Sequence, residues 1–232
     1  MAPQHVLTIE LFAMNLDPTT KRQMCTHCLR PQSACICRWV MPVAHATELL
    51  ILQHPLEVHH AKNSARLLHL SMPNSHILVA ESLDAEEWGK ALEVHKYTVL
   101  LYPPTPQAGQ QPAPSPDPAK MKDPGQVRLV VIDATWRKSR KMLHLNPALQ
   151  QLPRMALDTV PTSRYLIRKA HKPGQLSTLE ATCAALTQLG GSPAAFESLL
   201  TAFDGFVAQQ AQFSLPLSPQ SPEIALRYNQ TD

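Results

Sequence analysis

An aspartate, a threonine and a tryptophan stand together in Asp133-Ala134-Thr135-Trp136, and Arg137-Lys138-Ser139-Arg140-Lys141 follows without a break. A carboxylate can take a proton, a hydroxyl can bind substrate or fix a loop, and an indole can stack on a flat ring. The four cations behind them suit an anion, so the set fits a charged, aromatic substrate such as a nucleotide. The run Val127-Arg128-Leu129-Val130-Val131-Ile132 that leads into the motif is apolar and β-branched, as a buried parallel strand is. Ligands of open α/β sheets lie beyond the carboxyl ends of the strands, which is where Asp133 falls. The alternative is that Asp133 caps the next helix.

A second chemical signal is Cys25-Thr26-His27-Cys28, followed by Cys35-Ile36-Cys37. Two thiolates two residues apart grip one side of a tetrahedral ion, and a second close pair supplies the other side. This spacing predicts a Cys₄ Zn²⁺ site at Cys25, Cys28, Cys35 and Cys37. With four protein ligands and no open position, the metal is expected to fold a short segment rather than to enter a reaction. Disulfides are the competing reading, and a reducing cytoplasm disfavours them. The fifth cysteine, Cys183, sits in an apolar helical run and reads as core.

Three further motifs complete the inventory. Gln53-His54-Pro55-Leu56-Glu57 follows a strand and leads to Lys62-Asn63-Ser64. The proline holds His54 extended; His54 then either contacts substrate or is satisfied by backbone, with Asn63 facing solvent. Ser163-Arg164 and Arg168-Lys169 alternate cations with apolar residues, so a strand would put Arg164 and Arg168 on one face, toward a phosphate or carboxylate or along an ordinary surface. Leu176-Ser177-Thr178-Leu179-Glu180 opens a helix whose free amides suit an anion.

The elements that must position these residues alternate strand and helix. Strands are expected at 48–53, 75–80, 97–102, 127–132, 154–157 and 165–168, and helices at 58–70, 85–94, 136–145 (ended by Pro147), 177–189 and 194–213. That order predicts an α/β fold with a mostly parallel sheet. The expected organisation is an arm (1–20), a cysteine segment (21–45), a catalytic domain (46–213) and a tail (214–232). Residues 103–124 hold eight prolines and are expected to form an extended or disordered loop. No apolar run is long enough to span a membrane and no signal-peptide pattern opens the chain, so a soluble cytoplasmic protein is expected. Net charge is only +3, yet residues 21–38 hold four basic residues and no acidic one, and residues 128–172 hold ten against two. Such segregation is the footprint of a polyanion-binding surface.

Taken in order, these motifs resemble the DTW-domain family, specifically the bacterial tRNA-uridine aminocarboxypropyltransferases, over roughly residues 22–210. Ser64-Ala65 stands where that family is expected to carry Thr-Gly, and 103–124 is long for it. The resemblance implies a fold similar to SPOUT methyltransferases, with a C-terminal half knotted around S-adenosylmethionine. It implies transfer of the 3-amino-3-carboxypropyl group to N3 of a uridine in the tRNA variable loop (nucleotide 47 in the usual count), with 5′-methylthioadenosine released. It further implies Asp133, Thr135 and Trp136 as the catalytic set, Asp133 taking the N3 proton. Leu101, Tyr102, Pro103, Ile132, Asp133, Pro161, Ser163, Leu176, Ser177 and Thr178 would wall the cofactor. His54, Arg137, Lys138, Arg140, Lys141, Arg164, Arg168 and Lys169 would meet RNA. The oligomeric expectation is a monomer or homodimer. The rival readings are the same transfer onto ribosomal RNA, methyl transfer on a SPOUT-like scaffold, and a zinc-containing RNA-binding protein without catalysis.

Overall fold

Five strands, all parallel, form the sheet in the order β2-β1-β4-β3-β5 in a computed structural model that describes residues 23–92, 95–103, 113–164 and 175–213. They are β1 (Glu48–Gln53), β2 (Ser75–Val79), β3 (Tyr97–Leu101), β4 (Val127–Asp133) and β5 (Arg154–Met155). The central pair, β1 and β4, is buried on both faces, which is why both read as near-continuous apolar runs. Helices α2 (Ala85–Ala91), α3 (Trp136–Leu145) and α4 (Pro147–Gln151) follow the strands of one face. There Leu50, Leu52, Leu100, Tyr102 and Val130 pack with Trp88, Met142, Leu143 and Leu149. On the other face α1 (Ala65–Ser71) and α5 (Thr178–Gln188) pack together, with α6 (Pro193–Gln212) against α5. The alternation of side chains along β4 sends Val130 to the first face and Asp133 to the second.

β5 and α2 end earlier than the expected 157 and 94, and two further boundaries differ from the sequence expectation for local reasons. The helix expected over 58–70 begins only at Ala65. Pro55 instead starts a 3-10 turn capped by His54, and the Asn63 Oδ1 accepts the backbone N–H of Ala65 at 2.9 Å, starting α1 there. Pro147 does not simply end a helix; it opens α4 at a position where its missing N–H costs nothing. The strand expected at 165–168 lies outside the described residues. So do the arm, the tail and residues 104–112 of the proline-rich segment. The described remainder of that segment is held to the sheet: Pro114 O accepts the Arg154 N–H at 2.9 Å and the Tyr97 hydroxyl accepts the Asp117 N–H at 2.7 Å. Among the described residues, the β3–β4 crossover therefore carries a 3-10 turn (Pro124–Gln126) and no α-helix.

The chain clusters into two units, 1–37 and 38–232. Residues 38–45, expected with the cysteine segment, belong to the larger unit. There Val43 donates to Ser71 O at 2.8 Å, and the Trp39 Nε1–H donates to Gln209 of α6 at 2.5 Å. At the amino end of the sheet Arg128, 2% exposed, is paired with Glu48, its register partner on β1, and Lys96 lies 3.3 Å from the same carboxylate. Arg128 is thus a compensated buried charge rather than part of any basic surface. No helix among the described residues is long and apolar enough to cross a membrane.

Candidate active site and metal centre

The connection leaving β1 runs to β2 on one side and the connection leaving β4 runs to β5 on the other. The crevice between the carboxyl ends of β1 and β4 is therefore the topological switch point, where such sheets bind ligands. Gln53 and Asp133 are register partners at that point.

Asp133 is 4% exposed and carries three donors. Its Oδ2 accepts the Nδ2–H of Asn63 at 2.6 Å and the Nε2–H of Gln53 at 2.8 Å, and its Oδ1 accepts the Thr178 hydroxyl at 2.7 Å. The cap of α3 is Thr135, whose Oγ1 accepts the Lys138 N–H at 3.5 Å, so Asp133 is not the helix cap. Trp136 opens α3 with 48% of its surface exposed, its ring edge-on to Tyr102 at 5.9 Å. An exposed indole braced by a buried ring is free to receive a planar group.

The expected cofactor walls lie at the carboxyl edge of the sheet. Leu101 pairs with Met155, and Tyr102 N–H donates to Met155 O at 3.1 Å; Pro103 follows, exposed. Half-buried Ile132 precedes Asp133, and Pro161 is exposed in the segment after β5. Ser163 donates to the Glu180 carboxylate at 3.1 Å, and the same carboxylate accepts the N–H of Ser177 at 2.8 Å and that of Arg164 at 2.5 Å. Ser177, after Leu176, returns the favour by capping the Glu180 N–H at 3.2 Å. Glu180 thus closes a capping box and also binds the post-β5 segment to the start of α5.

On the opposite face His54, Leu56, Glu81, Thr135, Arg137, Lys138 and Lys141 line a cleft of about 840 Å³. It unites His54 with three of the four cations that follow the tryptophan; Arg140 is exposed elsewhere on α3. The His54 Nδ1 accepts the Leu56 N–H at 3.1 Å, so the Nε2–H is the one that faces Glu81, also at 3.1 Å. Lys141 joins Glu81 at 2.9 Å, and Lys138 meets the buried Glu57 at 2.8 Å. Hydrogen bonds from Lys141 and His54 hold the Glu81 carboxyl below its usual range. Arg164 points away from the cleft: its guanidinium binds Glu197 at 2.7 Å and Asp204 at 3.2 Å on α6. Arg168 and Lys169 lie outside the described residues.

The cysteine segment forms a site of its own. Cys25, Cys28, Cys35 and Cys37 bring their sulfurs within 4.8 Å of one another and could hold a metal ion. Cys25–Cys37 and Cys28–Cys35 are 3.6 and 3.7 Å apart. Disulfides need about 2.0 Å, whereas sulfurs at about 2.3 Å from a tetrahedral Zn²⁺ stand roughly 3.8 Å apart. None of the four is joined in a disulfide. The first knuckle closes through Leu29, whose φ of 58° carries the chain round so that its N–H donates to Cys25 O at 2.9 Å. The backbone N–H groups of Cys28 and His27 pull the Cys25 thiol down to about 6, whereas burial and then the neighbouring Cys25 sulfur push the Cys37 thiol up to about 12.

Asn63, which one reading of the sequence turned toward solvent, is instead 7% exposed and bonded to Asp133. Gln53, Glu57 and Glu180 stand in motifs that the sequence singles out without a role of their own, Glu180 with the signal of its place three residues after Ser177, and Glu81 carried no signal.

Residues 22–211 match the DTW domain. The chain is 28% identical over 229 residues to tRNA-uridine aminocarboxypropyltransferase 2 of Drosophila melanogaster, covering 96% of this chain and 88% of that one. It is 26% identical over 242 residues to tRNA-uridine aminocarboxypropyltransferase A of Arabidopsis thaliana, covering 91% and 90%. Against tRNA-uridine aminocarboxypropyltransferase 2 of Macaca fascicularis it is 26% identical over 208 residues, covering 87% and 68%. No solved structure matches. The cysteine knuckles, the switch-point aspartate and the exposed tryptophan thus fall within one matched span, and the chain belongs to the DTW-domain family.

Proposed function

We propose that this chain transfers the 3-amino-3-carboxypropyl group of S-adenosylmethionine to N3 of a uridine in the tRNA variable loop and releases 5′-methylthioadenosine. The observation that carries this reading is the near full-length match to relatives named for tRNA-uridine aminocarboxypropyl transfer. In the reaction the uridine nitrogen forms a bond to the γ-carbon of the donor. The bond from that carbon to sulfur breaks, its electron pair returns to sulfur, and the N3 proton passes to water. A sulfonium activates three carbons alike, so the product depends on which carbon faces the nucleophile, and orientation is the main task of the site.

The donor lies, in this reading, along the carboxyl edge between residues 101–103, 132–135, 159–163 and 176–178. The switch-point position of Asp133 and the tie from Glu180 to Ser163 support this. The SPOUT-like knot belongs to the same proposal; the β5–α5 connection that it would involve includes residues 165–174, outside the described residues. Trp136 offers its exposed ring to a base, and the His54–Lys138–Lys141 cleft takes RNA phosphate. Thr135 fixes the loop between them. Zn²⁺ in the Cys₄ site would be structural, filling its coordination with protein sulfur. The protein acts where tRNA is found, in the cytoplasm.

Nucleoside mass spectrometry of tRNA incubated with the protein and S-adenosylmethionine tests the reading. Modification of ribosomal RNA instead would reassign the substrate, and a methyl group on the product would reassign the reaction.

A further inference from the structure

The sequence gives Asp133 a chemical step, but its surroundings describe different work. Its carboxylate reaches three separate parts of the chain: the end of β1 through Gln53, the start of α1 through Asn63, and the first residue of α5 through Thr178. Asn63 is itself fully oriented. Its Nδ2 faces Asp133, and its Oδ1 accepts the N–H groups of Ala65 at 2.9 Å and Arg66 at 3.4 Å. The backbone of Asp133 adds a fourth link, its carbonyl accepting the His54 N–H at 3.0 Å.

A proton acceptor must aim an open lone pair at the atom that it deprotonates, within about 3.2 Å. An ionised carboxylate offers about four acceptor positions, and three here are filled by protein donors. The residue is also 4% exposed. In so enclosed a place each hydrogen bond is worth more than in water, and losing one partner leaves the others unsatisfied. The network has the properties of a joint: short bonds, uncharged donors, and partners on three elements that must keep register for the carboxyl edge to hold its shape.

We propose that Asp133 is a positioning residue of the transferase site, acting through Gln53, Asn63 and Thr178 to hold the start of α5 and the β1–α1 connection in donor-binding geometry, and not a group that touches the uridine. This rests on the transfer reaction proposed above.

The test uses the full chain and two kinds of variant, read by calorimetric titration with S-adenosylmethionine, steady-state kinetics on tRNA, and thermal melting. The exchange Asn63→Asp with Asp133→Asn keeps one acid and one amide across the same 2.6 Å gap and preserves an oxygen to start α1. The double variant should recover turnover to within about tenfold of wild type, whereas Asp133→Asn alone should lose donor affinity and turnover together. Gln53→Met removes, at nearly constant volume, the amide that donates to Asp133 at 2.8 Å and to Asn63 Oδ1 at 3.4 Å. It should raise the KM for S-adenosylmethionine by about tenfold and leave kcat within about threefold, as loss of one bond to a charged acceptor implies. If the double variant binds donor normally and is inactive, Asp133 takes the proton and the inference falls. If it does not fold, Gln53→Met decides: a fall in kcat at unchanged donor KM overturns the inference. A wild-type protein that neither binds S-adenosylmethionine nor modifies tRNA would instead sink the transfer reading itself.

Discussion

Replacing Arg137 and Lys141 together with alanine should weaken tRNA binding and flatten its dependence on salt without unfolding the protein. These two line the cleft and can be removed cheaply. Arg137 is exposed, and Glu81, the partner of Lys141, is 34% exposed and keeps His54 at 3.1 Å. Lys138 is the wrong choice. Its Nζ lies 2.8 Å from a Glu57 side chain that is 5% exposed, and stripping that carboxylate of its partner would cost up to about 3 kcal/mol. Arg128 and Arg164 are equally uninformative, being committed to Glu48 and to the acids of α6. Each phosphate contact contributes about 0.7 to 0.9 to the slope of log affinity against log salt, so losing two should make the slope shallower by roughly 1.4 to 1.8. Between about 50 and 200 mM salt, wild type should then lose about tenfold more affinity than the variant. Fluorescence anisotropy of labelled tRNA across a salt series measures this, with a thermal melt as control. Parallel salt slopes would place the RNA away from this cleft.

Metal analysis should find one zinc per chain, lost on replacing Cys35 and Cys37 with serine; metal-free wild-type protein would end the Cys₄ proposal. At Gly205 on α6, a Cβ would come 2.1 Å from the Trp39 ring, whereas at Gly89 on α2 it would meet nothing within 4 Å. Gly89→Ala should therefore gain up to about 1 kcal/mol from helix propensity. Gly205→Ala should lower the melting temperature despite that same gain, because the Trp39 ring must leave its seat; equal shifts at both positions would refute the packing argument. Burial lowers His45 from its usual 6.5, and burial, then Arg66 and His76, lower His69 from the same value. Below pH 6.5 the unfolded chain takes up protons that the folded one does not, so stability should fall as pH drops through that point. Replacing both with glutamine should flatten a plot of melting temperature against pH between about 7 and 5; an unaltered slope would show that other groups set it.

The sheet was legible because parallel strands buried on both faces must be apolar throughout, and residues 48–53 and 127–132 are nearly that. Helix boundaries were harder, since Asn63 and Pro147 act by local capping that periodicity does not register. The cysteine pairs were legible from spacing alone, because chelation is a local property of the chain. The setting of Asp133 was not. Its partners lie 80, 70 and 45 residues away, and only the register of β1 against β4 and the packing of α1 with α5 bring them together. The same distance problem hid Glu197 and Asp204, which turn Arg164 from a candidate phosphate ligand into a support for α6. The charge count likewise overstated the basic surface, because a tally along the chain does not see that Arg128 is buried.

The most direct test of the central claim is mass spectrometry of nucleosides and small molecules after incubating purified protein with unmodified tRNA and S-adenosylmethionine. The account predicts an aminocarboxypropyl group on a variable-loop uridine and one methylthioadenosine released for each group transferred. Unmodified uridine, or a methylated product accompanied by S-adenosylhomocysteine, would contradict it.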